Sequence, residues 1–299
     1  MSETAKILVC THTDSFYLRS DLYQPIHVGK ILHPELNFDF IGDDTGDNIS
    51  RKNGSYCELT AHYWAWKNLI VDYIGFCHYR RYFDFTAKFP IMNNDTADIS
   101  KDKIVNRYLN DDPISLLNDG TEVILASPSF LPCSVGQNYI KSHIPEDFFL
   151  LCRVVLKIYP EYEKTLRKHF FCSNKWIAYN MMFCRKELFD RYAKWLFTIL
   201  TEVEKYAKVS EYSYQSRIYG FMGEILTPLF FLHNCNKIKY QPVYYITPSP
   251  NKISRILYLR NRLRFNLAFY LGGKPKNEND ADLRGLFYDN YFKKDGIII

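Results

Sequence analysis

Residues 53–85, NGSYCELTAHYWAWKNLIVDYIGFCHYRRYFDF, contain the pattern that decides the fold. Ser55 and Glu58 match a capping box, which marks the start of a helix. Apolar side chains then recur at helical spacing on one face: Leu59, Tyr63, Trp66 and Leu69 or Ile70. The run from Val71 to Cys77 is short, mostly apolar and rich in β-branched and aromatic residues, so it predicts a buried strand after the helix.

A basic segment follows directly where this predicted strand ends: His78, Tyr79, Arg80 and Arg81. Ligands of open α/β sheets bind at the carboxyl ends of the strands. Arginine pairs with phosphate oxygens through charge-assisted, often bidentate, hydrogen bonds. The stretch therefore predicts a site for a phosphate-bearing ligand. Neighbours on an extended segment point to opposite sides, so Arg80 and Arg81 would not both face that ligand if the segment stays extended.

The bulk composition is that of an ordinary globular protein. The 299 residues are enough for one large domain, or for a domain with an added subdomain. A formal net charge of +5 suits a phosphorylated ligand or an anionic membrane surface, but it is too small to indicate nucleic acid. The eight cysteines form no CxxC pair, which predicts buried, reduced thiols in a cytosolic protein.

Features at the two ends of the chain indicate the cellular location of the protein. Lys6–Cys10 has the pattern of a first strand, so we expect no signal peptide, and no apolar run approaches the roughly 20 residues that span a bilayer. Residues 253–271 have an apolar helical face and several arginines without an acid: Ile253, Ile256, Leu257, Leu263, Leu267 and Tyr270, with Arg255, Arg260, Arg262 and Arg264. This pattern predicts either a membrane-surface helix or a helix docked on the protein with a solvated basic rim. We therefore expect a cytoplasmic protein that can associate with the inner membrane.

Two loops follow predicted strands in the first half. Thr11 and His12 come directly after the first strand, where nucleotide-binding α/β domains often contact the base or the ribose. Phe38–Ile41 is predicted as the second strand, and it leads into an acidic loop. The polar residues of that loop are Asp43, Asp44, Asp47 and Asn48. They suit ribose recognition, a Mg²⁺ or Ca²⁺ ion, or ordinary turn chemistry, and they do not match an EF-hand.

The second half supplies candidates for acid–base chemistry. His143 and Asp147 are four residues apart, so on one helix they would share a face, as a catalytic couple or as a surface pair. Arg217 and Glu224 are seven apart and would also share a helical face. Glu224 is then either a general base or one half of a structural ion pair.

Trp176–Cys184 is predicted to be one buried strand that is interrupted by Asn180. A buried amide needs partners, so Asn180 is either held in a hydrogen-bond network or directed at a ligand. The same periodicity arguments predict a helix at 101–109, a strand at 122–126, a helix at 148–159, a helix at 186–205 and a strand at 237–246.

Several long blocks together resemble a known bacterial family: DDTGDNIS (43–50), YCELTAHYWAWKN (56–68), YIGFCHYRRYF (73–83), YNMMFCRKELFDRYAKWLF (179–197) and RIYGFMGE (217–224). The sequence is similar to the capsular and lipopolysaccharide biosynthesis proteins that were first described as a domain of unknown function and later assigned as galactofuranosyltransferases. The likeness runs from about residue 6 to about residue 245.

This resemblance implies a GT-A-like α/β domain over residues 1–250, with a central, mostly parallel sheet flanked by helices, and a basic helical tail over 251–299. It also implies an inverting transfer of galactofuranose from UDP-galactofuranose to a lipid-linked glycan acceptor. In GT-A folds a metal-binding Asp-x-Asp usually follows the strand that here ends at Cys77. Because Arg80 and Arg81 occupy that place, we expect them to neutralise the departing diphosphate without a metal ion or other cofactor.

The resemblance further implies roles for individual residues. Glu224 is the first candidate for the base that deprotonates the acceptor, and Asp147 with His143 is the second. The residues expected to contact the UDP-sugar are Thr11, His12, Asp43, Asp44, Asp47, Asn48, His78, Tyr79, Arg80, Arg81, Asn180 and Arg217. Two alternatives stay open, namely a transferase for a pyranose donor and a non-catalytic module that binds a glycan or a nucleotide.

Overall fold

A computed structural model describes residues 3–87, 96–97, 108 and 111–246, together with 259–260, 263–264 and 267 in the tail. The strands are β1 Ala5–Thr11, β2 Tyr23–His27, β3 Tyr73–His78, β4 Arg81–Phe83, β5 Thr96–Ala97, β6 Val123–Ala126, β7 Ser129–Phe130, β8 Lys175–Trp176, β9 Met182–Arg185, β10 Ile238–Gln241 and β11 Val243–Ile246. The helices are α1 Asn53–Tyr56, α2 Leu59–Asn68, α3 Val135–Ser142, α4 Pro145–Ile158, α5 Glu163–Leu166, α6 Lys186–Glu204 and α7 Ile218–Asn234.

The central sheet has the strand order β2-β1-β3-β9-β6-β10, and within these six strands only β9 runs against the others. A side branch, β4-β11-β5, leaves the sheet where β3 ends. The prediction of a mixed α/β fold with a mostly parallel central sheet is therefore confirmed. The carboxyl ends of β1, β2, β3 and β6 lie along one edge of the sheet, which is where a ligand site is expected.

The two faces of the sheet are buried in different ways. Along β1, Leu8 and Cys10 point into a large core shared with α2, α4, α6 and α7. Ile7 and Val9 point to the opposite face, because side chains alternate along a strand. That face is covered mainly by aromatic residues, among them Tyr23, Tyr82, Phe83, Phe85 and Tyr108. The second, aromatic core accounts for part of the high Tyr and Phe content of the chain.

Several boundaries differ from the sequence predictions. The second strand is Tyr23–His27 rather than residues 38–41. At the end of that segment, His27 N donates to the Ile41 carbonyl oxygen at 2.9 Å, and Gly42 forms an isolated bridge with His27. The run 176–184 is not one strand, because β8 ends at Trp176 and β9 begins at Met182. By contrast, the predicted helix at 186–205 is confirmed as α6 and the strand at 122–126 as β6.

The helix predicted after Ser55 is broken in two at Cys57, and the capping box is absent. Ser55 lies inside α1, where its hydroxyl donates to Lys52 O, and Glu58 begins α2 without a side-chain cap. Ile70 lies beyond the end of α2 and is 97% exposed, so it does not belong to the buried face. The predicted helix at 101–109 and most of the segment 253–271 lie outside the described residues. Within the part of the chain that is described, no helix is both long and apolar enough to cross a membrane.

Candidate active site

A cavity of about 730 Å³ opens at the carboxyl ends of β1 and β3. Three groups of side chains line it. A basic group comes from the strand ends and from the start of α7, and it consists of the arginines Arg80, Arg81 and Arg217 with the imidazoles of His12 and His78. Two carboxylates, Glu58 and Glu224, come from the helices, and an aromatic wall is formed by His143, Trp176, Tyr214 and Phe221.

The chain turns back on itself between β3 and β4, and this turn brings both adjacent arginines to the cavity. His78 is the last residue of β3 and pairs with Arg81, the first residue of β4, so that Tyr79 and Arg80 form a two-residue hairpin. In β1, Cys10 lies opposite His78, and the ring of His12 follows at 6.1 Å from the His78 ring. The segment is therefore not extended through Arg80, and the rule of opposite faces does not apply to the two arginines.

The two guanidinium groups are held against aromatic rings. Arg81 lies 4.4 Å above the ring of Tyr179, and Arg80 lies 4.9 Å above the ring of Tyr79. Tyr179 has a left-handed backbone, with φ of 68°, which is unusual for a residue with a side chain. The Nε atoms of Arg80 and Arg81 are buried and have no hydrogen-bond partner among the described residues. Positioned guanidinium groups whose Nε atoms lack a partner are suited to an anionic ligand.

His78 contributes no charge to this cluster. Burial, with the charges of Arg81 and Arg80, lowers the pKa of His78 to about 2. The imidazole is consequently neutral at physiological pH and can either donate or accept a hydrogen bond.

A close approach of α7 to the break between α1 and α2 positions Arg217. Arg217 lies at the start of α7, and its Nε donates to the Cys57 Sγ at 3.1 Å. Cys57 has a left-handed φ of 51° at the break. A Cβ at Gly220 would lie 2.9 Å from the same sulfur, so a side chain there would push the helix away.

Glu58 is fixed by a network that joins α2 to α7. The side-chain amide of Asn180 donates to Glu58 Oε1 at 3.0 Å and to the Gly220 carbonyl oxygen at 3.3 Å. The hydroxyl of Thr227 donates to Asn180 Oδ1 at 3.3 Å. Asn180 is buried and is not part of the cavity lining. Of the two roles that the sequence left open, the structure therefore supports a place in a hydrogen-bond network and not direct contact with a ligand.

Glu224 projects into the cavity from the second turn of α7. The pKa of Glu224 is raised to about 7, mainly by burial and also by the negative charge of Glu58, although Arg81 and Arg217 lower it in part. A carboxylate in a structural ion pair has a lowered pKa, so the net rise favours the alternative of a general base. A pKa near 7 is also well suited to accepting a proton at neutral pH.

The proposed couple of His143 and Asp147 does not lie on one helix. Helix α3 ends at Ser142, His143 has an extended backbone, and α4 begins at Pro145. The expectation of a shared helical face is therefore wrong, because the chain changes direction between the two residues. His143 lines the cavity, while Asp147 is buried at the start of α4, where burial raises its pKa to about 6.

The acidic loop is used within the fold. Asp43 is fully buried and accepts hydrogen bonds from Gly29 N at 2.8 Å, Lys30 N at 3.2 Å and the Ser50 hydroxyl at 2.5 Å. Asn48 donates to the Asp44 and Gly46 carbonyl oxygens at 3.0 Å each.

The cavity lining does not include eight of the predicted UDP-sugar contacts and base candidates, namely Thr11, Asp43, Asp44, Asp47, Asn48, Tyr79, Asp147 and Asn180. Their contacts with a ligand stay predictions, and the positions of these residues outside the cavity lining do not support them. Conversely, the sequence assigns Glu58 to a helix cap and gives no role to Cys57, Tyr214 or Phe221, although all four line the cavity. No local pattern identifies them, because they meet only when α7 packs against the break between α1 and α2.

The donor set does not fit the divalent ion that many GT-A folds hold. Such ions prefer several carboxylate oxygens, whereas the loop after β3 presents two arginines and a neutral histidine. Within the described residues, no three His, Cys, Asp or Glu side chains are grouped so that they could hold a metal ion.

Comparison with protein families matches residues 6–235 to "Domain of unknown function (DUF4422)". The chain belongs to this family. Among solved structures it is similar to the one described as "WbbM bifunctional glycosytransferase apo structure", with a TM-score of 0.70 and 28% sequence identity. The alignment covers 84% of this chain and 48% of that one, so this chain spans about half the length of WbbM. A search of curated proteins found no match. The similarity to WbbM confirms the predicted GT-A-like α/β fold.

Proposed function

We propose that this DUF4422 chain is a glycosyltransferase of polysaccharide synthesis that uses a nucleoside diphosphate sugar as donor. The observation on which this rests is the juxtaposition, in one cavity, of strand-end arginines with unpaired Nε atoms and a carboxylate with a pKa near 7. Glycosyl transfer needs both, because a diphosphate leaves from one side of the sugar while an acceptor hydroxyl must lose its proton on the other. The similarity to WbbM, a bifunctional glycosyltransferase, supports the same reaction class.

The proposed mechanism follows from these charges. Glu224 accepts the proton of the acceptor hydroxyl while that oxygen attacks the anomeric carbon. The bond between the anomeric carbon and the diphosphate oxygen breaks, and its electron pair stays on the diphosphate. Arg80, Arg81 and Arg217 stabilise that negative charge by charge-assisted hydrogen bonds. With the base opposite the leaving group, the configuration at the anomeric carbon inverts.

We further propose that the donor is UDP-galactofuranose and that no metal ion is required. The donor follows from the family resemblance, and the metal independence follows from arginines standing where an Asp-x-Asp would be expected. The direct test is to incubate the purified chain with a β-galactoside acceptor and either UDP-galactofuranose or UDP-galactopyranose, with and without EDTA. We expect UDP release and a new glycoside from the furanose donor at a rate that EDTA does not change.

Each other result of this test would change a different part of the proposal. Loss of turnover in EDTA would overturn the metal-independent mechanism. Turnover of the pyranose donor alone would change the donor but keep the reaction. Binding of UDP without turnover of either donor would favour a non-catalytic nucleotide-binding module.

The tail supports a proposal about where the reaction takes place. Leu259, Leu263 and Leu267 follow each other at intervals of four in helical conformation and are 60%, 65% and 53% exposed. Arg260 and Arg264 lie beside them and are exposed. We propose that this segment holds the protein at the cytoplasmic face of the inner membrane, where a lipid-linked acceptor is presented. Flotation with vesicles containing phosphatidylglycerol should show association that high salt weakens, and no association would overturn this proposal.

A further inference from the structure

The aromatic wall lies across the cavity from the strand ends, and the mechanism above gives it no role. Phe221 and Glu224 are three residues apart on α7 and therefore lie on one face of that helix. Tyr214 comes from the loop before α7, and His143 follows α3. The wall is thus next to the proposed base and is built from elements other than those that supply Arg80 and Arg81.

The rings of this wall are stacked and leave one surface open. The His143 ring lies 3.9 Å from the Phe221 ring at an interplanar angle of 25°, and 5.9 Å from the Tyr214 ring at 16°. The Tyr214 and Phe221 rings are 5.2 Å apart. Tyr214 is nevertheless 56% exposed, so packing against its neighbours uses only part of its surface.

Polar atoms surround the stacked rings, and one cation borders them, because the Arg217 guanidinium lies 5.4 Å from the centre of the Phe221 ring. The buried Nδ1 of His143 has no hydrogen-bond partner within the described part of the chain. Burial lowers the pKa of His143, which keeps its imidazole neutral near pH 7. Asn138 and Ser142 of α3 line the same side of the cavity. The loop is attached there by the Gln215 side-chain amide, which donates to the Ser142 carbonyl oxygen at 3.1 Å.

A partly exposed tyrosine ring beside one unpaired imidazole nitrogen is less suited to a diphosphate than the arginines of the cavity are. It suits a sugar ring, because one face of a sugar presents C–H groups that pack on an aromatic ring while its edge presents hydroxyls. We propose that the aromatic wall is the acceptor subsite, in which the terminal sugar of the acceptor glycan stacks on Tyr214 and is held by hydrogen bonds at His143. This inference rests on the proposed function, since it assigns the second substrate of the same reaction.

The test compares Tyr214→Ala with Tyr212→Ala, using UDP-galactofuranose as donor and octyl β-D-galactopyranoside as acceptor. Tyr212 is a matched control, because it is in the same loop and 80% exposed but does not line the cavity. In Tyr214→Ala we expect the KM for the acceptor to rise about 3- to 10-fold, the effect typical of losing one aromatic contact. The Kd for UDP and the rate of donor hydrolysis without acceptor should stay at the wild-type values.

Two further variants make the result specific. Tyr214→Phe keeps the ring and should keep the wild-type acceptor KM, and Tyr212→Ala should do the same. An unchanged acceptor KM in Tyr214→Ala would overturn the inference. An equal weakening of UDP binding would also overturn it, because Tyr214 would then belong to the donor side.

A separate readout distinguishes this inference from the proposed function. If the wild type neither transfers nor hydrolyses the donor, the glycosyltransferase proposal fails, and binding of octyl β-D-galactopyranoside can still be measured by saturation-transfer NMR. Binding that Tyr214→Ala weakens and Tyr212→Ala preserves would retain the glycan subsite. No binding, or equal binding by all variants, would overturn it.

Discussion

Two polar regions, the acidic loop 43–50 and the segment His78–Arg81, look equally suited to a ligand in the sequence, but the folded chain uses them differently. In the loop, the Asp43 carboxylate accepts from two backbone amides and one hydroxyl of the chain itself. At the end of β3, Arg80 and Arg81 lie on aromatic rings in a cavity, and their Nε atoms have no partner among the described residues.

The difference shows how a functional charge can be told from a structural one. A polar group that the fold itself satisfies contributes to stability, and its removal leaves donors unpaired. A charged group whose donors are positioned but not satisfied by the fold has a cost in the free protein that a ligand of opposite charge can offset. The following predictions test this division, beginning with the largest expected effect.

Removing the proposed base should have the largest effect on activity. Glu224→Gln keeps the shape of the side chain but cannot accept a proton, so we expect kcat to fall by about 10²- to 10⁴-fold. UDP binding, measured by calorimetry, should persist because the arginines remain. Glu187→Gln, on the exposed start of α6, is the matched control and should keep full activity. A comparable loss in Asp147→Asn, with Glu224→Gln active, would transfer the role of base to Asp147.

Removing one cavity arginine should weaken the nucleotide complex. Arg81→Gln should raise the Kd for UDP by about 10- to 100-fold, since a hydrogen bond to a charged group contributes ~1.5–3 kcal/mol. Arg185→Gln is the control, because Arg185 also lies over a tyrosine, 4.7 Å above Tyr73, but at the opposite edge of the sheet. Equal UDP affinity in Arg81→Gln and the wild type would remove Arg81 from the diphosphate site.

The pH dependence should report the carboxylate pair. Glu224 is active as a base only when it has lost its proton, so kcat/KM should fall as pH drops below about 7, by up to about tenfold per pH unit. Glu58→Gln removes a negative charge that raises the pKa of Glu224 and keeps an oxygen for the Asn180 amide. In this variant, the fall of kcat/KM on the acid side of the pH profile should therefore begin at a lower pH. An unchanged profile would show that the two carboxylates do not interact.

Substitutions in the acidic loop should lower the stability of the fold and leave activity unchanged. Asp43→Asn places an amide donor against the Ser50 hydroxyl or the backbone amides, and we expect the free energy of unfolding to fall by about 1–3 kcal/mol. The Kd for UDP should change less than about twofold, which is within ~0.5 kcal/mol. Asp47→Asn, in the exposed part of the same loop, should have a much smaller effect on unfolding in urea. A clear loss of UDP affinity in Asp43→Asn would instead support the predicted ribose contact.

Local patterns in the sequence predict much of the fold. β1, β3, β6 and α6 follow from apolar runs and helical periodicity, which depend only on neighbouring residues. These patterns do not predict the second strand, because Tyr23–His27 contains Pro25 and its pairing with β1 is a tertiary contact. The sequence does not predict the break at Cys57 either, since no local sequence pattern indicates a left-handed φ at a cysteine.

The sequence by itself determined the α/β fold, the position of the arginines at the end of a strand, and Glu224 as the candidate base. These features depend on residue types and on spacing along the chain. Only the tertiary structure decided that both arginines face one cavity, that Asp43 is satisfied within the fold, and that Glu58 lies beside Glu224. Each of these depends on the packing of distant segments, such as α7 against the break between α1 and α2, which brings together side chains that no periodicity along the chain relates.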